Sequence, residues 1–426
     1  MRALFITWPW GSHLYPMTPF GWALRAAGHD VVVAAQPAFA STITQAGLVA
    51  LPVGEDVDVK GQLRRAHQHD SLDRTAIEHR GAAAVQAATD SAIAIAEDTY
   101  RFAAHWRPDF VVYEPMAYLG PGIARDLAIP ALRLLWATDF LASVTDFGPT
   151  GEELLGGLTT RRELQESNAF GDLTLDPCPP QLQVAADLPR QGMRYVPYNG
   201  PAQLPHRLRT PPQRPRVVVT WGGSLHHLGW QRAFLAPRIV AALAGRDIEV
   251  VVAVLDEQRD SFTCLPDNVI HVGPVALNLL LPGCAAIIHQ GGAGTTMTAV
   301  SYGVPQLILA WAADAIVNAG QVEATGSGRR LRPDDLDDAG LADALEEFLG
   351  GLAGHQECAD DLLRAHLALP TPAAVTTQLA HDFQHATGVW TNFGKQTATN
   401  RRESGDHDGE ARRRHSVVSD EQAGAV

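Results

Sequence analysis

Ala285-Ala-Ile-Ile-His-Gln-Gly-Gly-Ala-Gly-Thr-Thr-Met-Thr-Ala-Val300 decides how the chain is read. An apolar run stops at glycines and resumes as small and hydroxyl residues, the pattern of strand, tight loop and helix. Gly291, Gly292, Ala293 and Gly294 hold no bulk over their backbone N–H groups, and a helix N-terminus favours an anion. The stretch therefore reads as a phosphate cradle or, without a ligand, as a plain βα turn. His289 at the strand end and Thr295 and Thr296 at the helix start supply further donors for a diphosphate. Two familiar phosphate loops are excluded. A dinucleotide fingerprint needs a third glycine where Met297 stands, and the sole Gly-Lys pair, Gly394-Lys395, is followed by Gln396 rather than Ser or Thr.

Outward from this loop, the same alternation recurs. Ala3 to Thr7 is a short apolar run, a helical pattern is expected from about Thr18 to Ala27 with Gly28 as its stop, and Val31 to Ala35 is a second strand. That unit of a parallel sheet gathers its ligands beyond the carboxyl ends of the strands, so the expected loop Trp8 to Pro16, with His13, lies at an active edge. Asp109 to Glu114 is another buried strand and ends on a carboxylate. Residues 60–80 are polar and weakly periodic, and a mobile loop is expected there, as a solvated segment or a flap. The pattern restarts after Pro201 to Pro215 with Val217 to Ser224, a helical stretch to about Ala244, Val250 to Leu255 and Ile270 to Val275. The predicted fold is α/β, with two Rossmann-like domains facing across a cleft. Residues 1–200 are expected to form the first domain, 201–215 a linker, 216–371 the second domain, 372–392 a helix returning to the first domain, and 393–426 a disordered tail.

Composition narrows the function. The 426 residues are 46% hydrophobic and 19% charged, as in a globular enzyme with full cores. A net charge of −14 argues against nucleic acid, which is met by clustered Lys and Arg. Cys178, Cys264, Cys284 and Cys358 lie far apart without a Cys-x-x-Cys pair, which suits the cytosol. No signal peptide or 18-residue apolar run is expected to take the chain to or across a membrane. His381 and His385 have the spacing of a zinc helix, but Asp382 stands where Glu belongs and no third ligand is marked, so no metal is expected.

The motif His289-x-Gly291-Gly292-x-Gly294-Thr295, followed by Pro305-Gln306, Asp314 and Asn318-Ala319, resembles the donor loop of two-Rossmann (GT-B) nucleotide-sugar glycosyltransferases, and among them the antibiotic glycosyltransferases of actinomycetes. Pro16, Pro19, Ala23 to Arg25 and Gly28-His29 extend the likeness, as do Glu114-Pro115, Arg133 to Asp139 and Met193 to Gly200, which resemble a subgroup acting on macrolides and related polyketides. The resemblance implies an inverting transfer of a deoxysugar from a thymidine-diphosphate (TDP) sugar to a polyketide-type hydroxyl, with no cofactor and no metal. His13 would be the general base and Glu114, where many relatives carry Asp, its acidic partner. Ser224, His289, Gly291, Gly292, Ala293, Gly294 and Thr295 would hold the diphosphate. Val275 would read the base, although the usual following Pro is Ala276, and Asp314 and Asn318 would serve the sugar. Residues 140–170 would wall an apolar acceptor pocket. Glucose transferases commonly carry Asp-Gln where this chain has Asp314-Ala315, so a deoxygenated, including an amino-bearing, sugar is implied. Implied partners are the TDP-deoxysugar, the apolar polyketide-type acceptor, a cytochrome-like auxiliary protein and a second copy of the chain as a homodimer. The competing reading is a binding or auxiliary protein of the same fold without turnover. An oxidoreductase is excluded, because Trp8-Pro-Trp-Gly-Ser12 is not a dinucleotide turn.

Overall fold

The computed structural model describes residues 1–66, 74–144, 169–230, 233–311, 314–333 and 336–391. Seven strands form one sheet: β1 (Arg2–Ile6), β2 (Asp30–Ala35), β3 (Ala50–Pro52), β4 (Phe110–Tyr113), β5 (Ala131–Leu134), β6 (Leu173–Asp176) and β7 (Arg190–Gly192). Six more form a second: β8 (Arg216–Thr220), β9 (Glu249–Ala253), β10 (Val269–Gly273), β11 (Ala286–His289), β12 (Gln306–Leu309) and β13 (Gly328–Leu331). The orders are 3-2-1-4-5-6-7 and 10-9-8-11-12-13, and every pairing is parallel. The expected α/β class and the two facing Rossmann-like sheets are what the chain adopts.

Both sheets have helices packed on their faces, so their central strands read as unbroken apolar runs and are fully buried, as Ala3 to Ile6 and Val217 to Val219 are. Each sheet also reverses its winding beside its first strand, between β1 and β4 and between β8 and β11. Ligands in such sheets collect outside the carboxyl ends at this point. Ile6 pairs with Tyr113, so the segments that bring in His13 and Glu114 leave the sheet side by side. Val219 pairs with Ile288, which does the same for the turn before Ser224 and the glycine loop.

Three expectations are corrected. Of the expected loop Trp8 to Pro16 only Trp8 to Trp10 is irregular: a helix spans Gly11–Ala26, with Pro16 and Pro19 inside it, and His13 stands in its first turn. Proline inside a helix costs about 3 kcal/mol, yet Leu14, Met17, Phe20 and Leu24 are fully buried along this helix. Burial of that face outweighs the proline penalty. Residues 60–66 and 74–80 are helical too, in Val59–Ala66 and in Arg74–Trp106; the remainder of the expected mobile loop, 67–73, lies outside the described residues. The helical stretch expected up to Ala244 is broken into Ser224–His227 and Ala236–Ala242.

The segment between the sheets carries one turn of 3₁₀ helix, His206–Leu208, whose Leu208 is buried. Beyond the second sheet, the helix Pro372–His385 places Val375 and Leu379, with Trp390, in the core beneath the first sheet. The predicted disordered tail and most of the expected pocket wall, residues 392–426 and 145–168, lie outside the described residues. A further apolar cluster joins the halves: Ala137, Cys178, Leu182 and Tyr195 pack with Ala293, Met297, Ile308 and Ala319.

Candidate active site

His13 and Glu114 meet. His13 Nδ1 lies 3.1 Å from Glu114 Oε2, and the Glu114 side chain is fully buried. The carboxylate also accepts from the Trp8 N–H at Oε1 (2.8 Å) and from the Met116 N–H at Oε2 (2.8 Å), so backbone on both sides fixes its plane. A carboxylate only accepts, which puts the shared hydrogen on Nδ1 and leaves Nε2 as the basic nitrogen. Two indoles hold the imidazole in place: Trp8 at 5.1 Å and Trp136 at 4.2 Å between ring centroids. Neither tryptophan stands out in the sequence. Their only signal is that Trp8 follows β1 and Trp136 follows β5, at the carboxyl edge.

Across the cleft, the glycine loop opens the helix Ala293–Ser301, with Gly292 as an extended N-cap that has no side-chain cap. The N–H groups of Ala293, Gly294 and Thr295 begin this helix and have no partner within it, so they face outward with the positive end of its dipole. Gly292 and Thr295 are half-buried beside them. Ser224 is half-buried in the first turn after β8, and its Oγ accepts from Trp10 Nε1 at 3.1 Å. Trp10 is the N-cap of the helix that carries His13. The turn at Ser224 thus touches the base-bearing helix directly. Val275 follows Gly273 beyond β10 and is half-buried.

Three of the expected diphosphate and sugar ligands are turned elsewhere. His289 is fully buried; its Nδ1 accepts from the Gly291 N–H (3.0 Å) and its Nε2 meets Gln306 Oε1 (3.0 Å). Burial lowers its pKa to about 4, opposed by the Gln306 hydrogen bond. A neutral imidazole with both nitrogens engaged cannot add charge to a diphosphate, so His289 shapes the loop instead. Gly291 gives its N–H to that histidine, and its role is conformational: at φ +91° a Cβ would be strained and would lie 3.0 Å from Ala315 Cβ. Asn318 is fully buried, donates from Nδ2 to the Gly291 carbonyl (3.0 Å) and accepts at Oδ1 from Thr138 Oγ1 (2.6 Å). It is a strut between the loop and the other sheet's domain, and the sequence gives no sign of Thr138 in this role.

Asp314 begins the helix Asp314–Ala324 and is half-buried. Burial raises its pKa, and the charge of His13 opposes that rise, which brings the donor-side carboxyl within the field of the imidazole. Ala315 packs on Gly291. Among the described residues no group of three His, Cys, Asp or Glu side chains is arranged to hold a metal ion, and no helix is long and apolar enough to cross a membrane.

Comparison with known proteins adds to this geometry. Residues 22–222 match the N-terminal domain, and residues 237–381 the C-terminal domain, described as erythromycin biosynthesis protein CIII-like. The TDP-daunosamine transferase of Streptomyces peucetius is 36% identical over 422 residues, spanning 89% of this chain and 96% of that protein. The 10-deoxymethynolide desosaminyltransferase of Streptomyces venezuelae is 35% identical, again over 89% and 96%. Among solved structures, the glycosyltransferase VinC in complex with dTDP has a TM-score of 0.75 at 32% identity, covering 90% of this chain and all of that one. The spinosyn rhamnosyltransferase SpnG has a TM-score of 0.74 at 31% identity, covering 89% and 100%.

Proposed function

We propose a reaction on one premise: the chain belongs to the erythromycin biosynthesis protein CIII-like family of antibiotic glycosyltransferases. It is a glycosyltransferase that moves a deoxysugar from a TDP-sugar to a hydroxyl of a polyketide aglycone. The observation that carries this reading is the His13–Glu114 pair standing opposite the helix N-terminus at Ala293–Thr295. His13 Nε2 takes the proton of the acceptor hydroxyl as its oxygen attacks C1 of the sugar from the face opposite the leaving group. The C1–oxygen bond to the diphosphate breaks, the configuration at C1 inverts, and TDP leaves with the bonding pair. Charge on the departing diphosphate is met by backbone N–H groups, the helix dipole and Ser224, with no resident metal in the scheme. Similar proteins solved in complex with dTDP and with thymidine diphosphate support this donor class.

Asp314 takes a remaining hydroxyl or an ammonium group of the sugar. Ala315 offers no hydrogen-bonding atom, so a sugar hydroxyl directed at it would go unpaired, at a cost of about 1–3 kcal/mol. A deoxygenated donor avoids that cost. A panel of TDP-sugars tests this: a kcat/KM for glucose equal to or above that of every deoxysugar would overturn it. The proposal extends to the cytosol as compartment, a cytochrome-like auxiliary protein and a homodimer. Full turnover by the purified chain alone removes the auxiliary protein, and a monomer mass in sedimentation removes the dimer.

A further inference from the structure

Between the two donor turns lies a side chain that the scheme above leaves unused. Gln290 follows β11 directly, next to the turn that leaves β8, because those strands are neighbours at the winding reversal. Its carboxamide reaches across that gap. The Gln290 Nε2 lies 2.8 Å from where a Cβ at Gly222 would be and 3.2 Å from where one at Gly292 would be. Both turns therefore need glycine for the same reason: one amide fills the space of two side chains. Gly222 also has φ +56°, so the turn before Ser224 is shaped around this contact.

Gln290 is 8% exposed, and its Oε1 is buried without a hydrogen-bond partner. The amide nitrogen is the end that lies against both turns. A diphosphate carries only acceptors, so a ligand seated between Ser224 and the N–H groups of Ala293 to Thr295 meets the N–H end of this carboxamide.

We propose that Gln290 is a neutral ligand of the donor diphosphate, bridging the two glycine turns so that one hydrogen-bonding group registers both against the leaving group. This rests on the donor reading above and assigns to it the residue between His289 and Gly291. Neutrality matters at this position. A carboxylate of the same shape would repel the diphosphate at close range in a dry site.

Calorimetry with TDP and with thymidine, on the full chain and on Gln290→Glu and Gln290→Met, tests it. In Gln290→Glu the affinity for TDP should fall by about a hundredfold or more, and in Gln290→Met by about tenfold, while thymidine binding stays within about twofold and the thermal midpoints stay near wild type. TDP affinity unchanged in both variants would overturn the proposal. So would an equal loss for TDP and thymidine, which would make Gln290 a packing residue. Should Gln290→Glu fail to fold, Gln290→Met carries the same comparison. Absence of TDP binding by the folded wild-type chain would sink the donor reading and this inference together, an outcome distinct from failure of the variants alone.

Discussion

The two faces of the cleft solve their problems with different parts of the chain. On the acceptor side the chemistry is in side chains: an imidazole, a carboxylate and two indoles, each oriented by the next. On the donor side the side chains that look most chemical in the sequence, His289 and Asn318, are turned into the protein, which leaves the backbone N–H groups of the helix N-terminus for the proposed diphosphate. The difference follows from the tasks. Proton transfer needs a group that titrates near neutral pH, which backbone cannot supply. A diphosphate needs several fixed donors at close range, which a glycine turn and a helix N-terminus supply with little reorganisation.

This contrast predicts that side-chain removal is severe on one face and mild on the other. The largest effect is expected for His13→Ala, which should lower turnover by about 10²–10⁴ while TDP affinity stays within about twofold. Single-turnover assays and calorimetry measure the two quantities separately, and near-normal turnover would break the comparison. Next comes Glu114→Gln. The amide keeps one acceptor for three donors, those of Trp8, Met116 and His13, and permits the wrong tautomer of His13. Turnover should fall by about 10–10², again with unaltered TDP binding. An effect confined to the KM of the acceptor would instead make Glu114 part of the pocket wall.

On the donor face, apart from the Gln290 bridge proposed above, the sensitive change is to backbone. Gly291→Ala introduces a Cβ at φ +91° and 3.0 Å from Ala315 and Ile308, so the loop must shift. TDP affinity should drop by about tenfold, from roughly 1–3 kcal/mol of strain. Binding equal to wild type would show that the loop is not held as described.

The smallest effect is a pH dependence. His289 and His366 are each lowered by burial to about 4, from an ordinary value of 6.5. Between those values the unfolded chain binds protons that the folded chain does not, so stability is complete above about pH 6.5 and is lost as pH falls toward 4. Asp314, raised by burial, acts in the opposite sense and softens the slope. Thermal midpoints recorded from pH 7 to 4 should decline, and His289→Asn, whose amide oxygen can still accept from the Gly291 N–H, should decline less steeply. An identical slope in that variant would remove His289 as a contributor.

Much of the fold is legible in the residues alone. Apolar runs ending in glycine or a polar residue mark β1, β8 and β11 to within a residue or two, because strands buried on both faces must be apolar throughout. The order of those runs implies parallel sheets, hence active edges at Trp8 and at Gly291, and the motif spacing picks out His13, Glu114 and the loop. Of the helix Gly11–Ala26 only the second half is legible; the turns before Thr18, which carry His13, are not, since Pro16 and Pro19 disfavour helix locally and only burial of its far side reverses that preference.

Strand order and motif spacing are properties of the chain read linearly, and they are enough to say which residues stand at the two sheet edges. Which way those residues face was decided only by tertiary structure. His289 and Asn318 sit in the motif as plainly as His13 does, and nothing local says that their polar atoms close on Gln306, Gly291 and Thr138. A buried polar atom takes the partner that packing brings within about 3 Å. Gln306 comes from a neighbouring strand and Thr138 from the other domain.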